Sequence, residues 1–71
     1  MDDREADPDR ADLISQMFAV LTARLEDGAA LAAECQGRRP VGELRQDLLD
    51  LREVITDAGA VADAIRAVLG R

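Results

Sequence analysis

Histidine, lysine, tyrosine and tryptophan are all missing from this 71-residue chain, and cysteine and phenylalanine occur once each, as Cys35 and Phe18. Each gap excludes something. A single cysteine cannot close a disulfide within the chain. Without histidine it cannot anchor a structural zinc site, and it has no imidazole to activate it as a nucleophile. The Glu-x-x-His pairs that hold two metals inside helical bundles are absent. So are glycine-rich phosphate loops and the common catalytic signatures. The arginines have no aromatic neighbours on which bases could stack. The expectation is therefore a non-enzymatic chain with no catalytic residue, no metal, no cofactor and no small-molecule substrate.

Long hydrophobic runs are also lacking. No apolar stretch approaches the roughly 20 residues of a membrane span. The opening residues, Met1-Asp2-Asp3-Arg4-Glu5, are acidic and carry no apolar segment of the signal-peptide kind. The lone thiol suits a reducing compartment, so a cytoplasmic location is the expectation. The net charge is −6, opposite in sign to the footprint of a duplex-DNA binder, which makes nucleic acid a disfavoured partner. Residues suited to strands are few: five valines, three isoleucines and two threonines, never alternating with period two. Alanine and leucine, both strong helix formers, dominate what is there.

The pattern along the chain predicts two helices. Residues 1–7 read as a flexible acidic tail. Asp7 can cap a helix that Pro8 begins, with Asp9 and Asp12 near the positive end of its dipole. The first helix is expected over 8–36, with a seam of Ile14, Phe18, Leu21, Leu25, Gly28, Ala32 and Cys35, stepping by four and three as heptads do. Residues 37–40, Gly37-Arg38-Arg39-Pro40, form the loop, with Gly37 suited to a left-handed turn. The second helix is expected over 41–69, with a seam of Leu44, Leu48, Leu51, Ile55, Ala58, Ala62, Ile65 and Leu69. Thr56-Asp57-Ala58-Gly59 is a candidate break, although the seam crosses it in phase. So short a loop makes the helices antiparallel neighbours. The fold class is thus all-α, an antiparallel helical hairpin over 8–70. Folding about residue 38 would set Gly28 against Leu48, Leu25 against Leu51 and Phe18 against Ala58.

In heptad notation Phe18, Leu25, Leu48 and Ile55 occupy a, and Ile14, Leu21, Leu44 and Leu51 occupy d. The g positions beside that seam are also mostly apolar: Met17 and Leu31 on the first helix, Val54, Val61 and Val68 on the second. Val20, and Leu13 with it, widen that side. Two helices bury one seam between them, whereas a three-in-seven apolar face belongs to a larger bundle. A free patch of branched aliphatics marks an interface, and a domain this small gains most from oligomerising. Met17, Val20, Leu31, Val54, Val61 and Val68 are therefore the expected self-association surface, and a homodimeric four-helix bundle the favoured assembly. The competing readings are an obligate heteromer and a monomer in which those aliphatics only thicken the core, with the second helix bent over at Gly59.

Arg45, Arg52 and Arg66 share one stripe of the second helix, and Arg38 and Arg39 lie in the loop. They are candidates for recognising a partner, most simply another protein. The plainer reading is surface charge balanced by Glu26, Glu34 and Asp63. Glu43, Asp47 and Asp50 could line a divalent-metal site, but a solvated acidic face explains them as well. The function expected from the sequence is a self-associating adaptor, regulator or assembly factor. The alternative is a nucleic-acid-binding regulator that uses the arginine stripe.

Overall fold

The computed structural model describes residues 8–70. The expected tail and the Asp7 cap lie outside these residues. Two helices make up the fold: α1, Pro8–Glu34, and α2, Val41–Leu69, packed against each other as a hairpin. Proline at the first position of α1 lacks an N–H that would be unsatisfied there in any case. Asp9 in the same turn meets the positive end of the helix dipole. The helix closes at Glu34, two residues before the end expected at Gln36. It tightens there: the amide of Cys35 donates to the carbonyls of both Leu31 and Ala32, that of Gln36 to Ala33 and that of Gly37 to Glu34. These three-residue bonds satisfy the last carbonyls without a left-handed residue. Gly37 accordingly has no positive φ, nor does any other glycine among the described residues, which corrects the left-handed turn expected at that position.

Pro40 precedes α2 in an extended conformation, and its carbonyl accepts the first helical bond, from the amide of Leu44. Glu43 lies in the first turn and Arg66 in the last, each at the favourable pole of the helix. The helix then runs without interruption through Thr56-Asp57-Ala58-Gly59. The candidate break does not occur, because the apolar positions stay in phase on both sides of it.

The two helices meet along d and g rather than along a and d. On α2 the less exposed residues are Leu44, Asp47, Leu51, Val54, Ala58, Val61, Ile65 and Val68, a regular alternation of three and four. On α1 they are Arg10, Ile14, Met17, Leu21, Gly28, Leu31 and Ala32, followed by Cys35 just past its end. Gly28 fixes the register. A Cβ built there would lie 3.3 Å from Cγ1 of Val54 and 3.7 Å from Cδ1 of Leu51, so α2 crosses close to the α1 backbone at this point. The Leu48 partner expected for Gly28 is instead exposed and turned away. Elsewhere the Cys35 thiol lies 3.9 Å from Asp47, and the Arg10 guanidinium donates to the carbonyl of Val68 at the open end of the hairpin.

The core that results is thin. Among the described residues only Ala58, at 6% exposure, and Ile65, at 3%, are buried, and no large side chain is fully enclosed. Burying Ile65 is worth roughly 1.5–3 kcal/mol. Against that stands a backbone ordering cost of about 1–2 kcal/mol for each residue fixed.

Candidate self-association surface

Three heptad positions are apolar, and one hairpin contact covers two of them. With d and g spent between the helices, a is left over. Phe18 and Leu25 on α1, and Val41, Leu48, Ile55 and Leu69 on α2, are 48–67% exposed. In an antiparallel pair joined along d and g, the a positions of both helices fall on the same side of the hairpin, because reversing the chain direction also reverses the sense of rotation about the axis. The six side chains therefore form one continuous apolar strip, with Ala62 completing the α2 series.

The strip is large. A fully exposed aliphatic or aromatic residue offers roughly 200 Å². Six of them about half exposed present on the order of 600–700 Å², beside the ~800 Å² that each partner contributes to a specific interface. Patches of this size on small soluble domains are normally covered.

This places the free apolar surface one flank away from where the sequence reading put it. Met17, Leu31, Val54, Val61 and Val68 are half-buried on the sides of the helices that face each other, and Val54 packs towards Gly28. Val20 is exposed, as is Leu13, but both occupy c, on the opposite side of the hairpin from the a strip. Phe18, Leu25, Leu48, Ile55 and Leu69, assigned to the inner seam by their spacing, are outside it. The reason is that d is common to both possible seams. Periodicity identifies d as buried and leaves a and g equivalent until a partner helix chooses between them.

The charged candidates divide as well. Arg39 is engaged within the hairpin: its guanidinium lies 3.0 Å from Asp47 and 3.7 Å from each of Glu34 and Glu43. The side chains of Arg39 and Asp47 are 28% and 15% exposed, so this pair is partly shielded from solvent, whereas Glu34 and Glu43 lie in water. The cluster joins the end of α1, the loop and the first two turns of α2. It explains why an aspartate can occupy the g seam, for Asp47 meets the guanidinium and the Cys35 thiol there. Arg38 is exposed in the loop. Arg45, Arg52 and Arg66 are exposed at e, immediately outside the a strip, and pair with no carboxylate among the described residues. Glu26 and Asp63 make no ion pair with this stripe among the described residues, and Asp63 lies one turn from Arg66 at the same depression.

The opposite side of the hairpin is acidic, with Asp27 and Glu34 on α1 and Glu43, Asp50 and Asp57 on α2 at c. No group of three or more carboxylate or thiol side chains among the described residues is arranged to hold a metal ion. A shallow open depression lies near the C-terminal end of α2, lined by Asp63, Arg66, Ala67 and Gly70, and it contains no nucleophile. Neither helix is long and apolar enough to cross a membrane.

Comparison with protein-family models, with curated proteins and with solved structures finds no match in any of the three.

Proposed function

We propose that this chain is a non-enzymatic protein–protein interaction module that self-associates through its a flank. Two hairpins bring their strips together as an antiparallel four-helix bundle, and the bundle serves as a small adaptor, regulator or assembly factor. One observation carries the reading: six large apolar side chains line one flank about half exposed, while among the described residues only Ala58 and Ile65 are buried behind them. A second copy supplies a strip of the same shape and chemistry, as a two-fold interface requires. Covering the strip also gives the fold the core it otherwise lacks.

The test is mass in solution by light scattering after size exclusion, detected by refractive index since tyrosine and tryptophan are absent. Wild type is expected at twice the 7.7 kDa chain mass. Ile55→Asp, at the centre of the strip, is expected to abolish the dimer. A wild-type mass of one chain, or an Ile55→Asp protein that dimerises as wild type does, refutes the reading.

A further inference from the structure

Two arrangements of the second copy satisfy a two-fold axis, and both put antiparallel neighbours throughout the bundle. With the axis parallel to the helices, α2 of each copy lies over α1 of the other and the two loops share one end. With the axis across the helices, α1 lies over α1, α2 over α2, and the loops are at opposite ends. The apolar strip does not distinguish them. The charges along its borders do.

At about 100° per residue, e and b follow a around the helix and form the outer rim of the strip. On α2 the e positions are Arg45, Arg52, Gly59 and Arg66 and the only charged b position is Asp63, so this rim is basic on balance. On α1 the e positions Ser15, Thr22, Ala29 and Gln36 are uncharged, and the acids are at b: Asp12 and Glu26. All six charged groups are exposed. The axis across the helices would face the arginine rim of α2 with another arginine rim, and the acidic rim of α1 with another acidic rim. The axis along the helices faces arginine with acid.

The register makes the match more specific. Gly28 lies level with Leu51 and Val54, Cys35 with Asp47, and Arg10 with Val68. A rotation about an axis along the helices preserves height. The partner's α1 therefore presents its residues to α2 at the same levels as the chain's own α1 does. Glu26 of one copy then comes beside Arg52 of the other, and Asp12 beside Arg66. Long arginine side chains span the step from e to b, and their aliphatic stems lie over the edge of the apolar strip.

We infer that a second copy of this chain docks on the a flank with its loop at the same end, α2 over α1, held in that orientation by Arg52 with Glu26 and Arg66 with Asp12. This rests on the self-association reading above and adds the orientation to it. Charge complementarity of this kind selects register and orientation more than it supplies affinity.

Two experiments on the full chain test it. In the first, Arg38→Cys in a Cys35→Ser background carries a spin label in the exposed loop, and the label-to-label distance is measured by pulsed electron paramagnetic resonance. Loops at one end predict a separation below about 25 Å. Loops at opposite ends predict about 40 Å, the length of a 29-residue helix. The second reverses charges. Arg52→Glu is expected to raise the dimer dissociation constant about tenfold, roughly threefold for each of two symmetry-related pairs. Adding Glu26→Arg is expected to restore it. In the other arrangement Arg52→Glu would join the partner's arginine rim, face none of its acids and leave the dimer as tight as wild type or tighter. A dimer with the long label distance, or one that Arg52→Glu leaves as tight as wild type or tighter, overturns the orientation and leaves self-association standing. A protein that stays monomeric at every concentration overturns both.

Discussion

Gly28 is the position where the packing makes its sharpest quantitative demand. In an unconstrained helix interior, replacing glycine by alanine adds about 1 kcal/mol of stability. At Gly28 the new methyl would stand 3.3 Å from Cγ1 of Val54 and 3.7 Å from Cδ1 of Leu51. Comfortable carbon–carbon separations are about 3.5–4.0 Å. Val54 is β-branched and stiff about χ1, so relief requires the helices to part by a few tenths of an ångström. Overpacking of this kind costs about 1–3 kcal/mol. Gly28→Ala should therefore be neutral to destabilising by about 1–2 kcal/mol once the propensity gain is subtracted. Gly59 supplies the control within the same hairpin: it is exposed in mid-helix, and a Cβ there meets nothing within 4 Å. Gly59→Ala should gain the full ~1 kcal/mol, or about 4–8 °C in Tm for a chain of this size. The assay is urea and thermal unfolding followed by circular dichroism at the helix band, at one fixed protein concentration, because the sequence offers no tryptophan to report by fluorescence. If Gly28→Ala stabilises as much as Gly59→Ala does, α2 does not pass close to α1 at this point and the register described here is wrong.

Other consequences follow from the same geometry. Arg39→Met removes the contacts to Asp47, Glu34 and Glu43 and leaves Asp47 half-buried without its cation; it should cost about 1 kcal/mol, shrinking in high salt, while Arg38→Met changes stability little, both read from urea midpoints. Ile65→Ala, at one of the two buried positions among the described residues, should cost about 2–4 kcal/mol and leave the chain largely unfolded by circular dichroism at 37 °C. Filter binding or fluorescence anisotropy with RNA and DNA should detect no association even at low salt, since the net charge is −6 and no aromatic accompanies the arginines; a strongly salt-dependent affinity would revive the nucleic-acid reading.

Much of the fold could be read from residue types alone. Pro8, the Gly37–Pro40 break and Gly70 punctuate the chain, and the unbroken seven-residue spacing of Leu44, Leu51, Ala58 and Ile65 carries α2 across Gly59. The flank facing the partner helix could not be read in this way. An a/d seam and a d/g seam have the same period and share every d residue, so spacing alone assigns Leu48 and Val54 equally well to the inside. Two features of the sequence do bear on the choice. A d/g seam sets Val54 over Gly28, where the missing side chain makes room, and it brings Asp47 to Arg39 and the Cys35 thiol. Both depend on the register across the loop, which local pattern does not give. The same displacement moved the apolar surface from Met17, Leu31, Val61 and Val68 to Phe18, Leu25, Ile55 and Leu69. It also put Arg45, Arg52 and Arg66 on the border of that surface rather than on a remote wet side.

The central claim is that this hairpin completes its core with a second copy of itself, and the dependence of stability on protein concentration tests it most directly. When unfolding and dissociation are one event, a hundredfold rise in concentration adds about 2.7 kcal/mol to the apparent stability. With a urea slope of about 1–3 kcal/mol/M, the midpoint should move upward by about 1–3 M across that range. A midpoint that stays fixed from micromolar to hundreds of micromolar would mean that the hairpin folds alone with its a strip in water, and the claim would be contradicted.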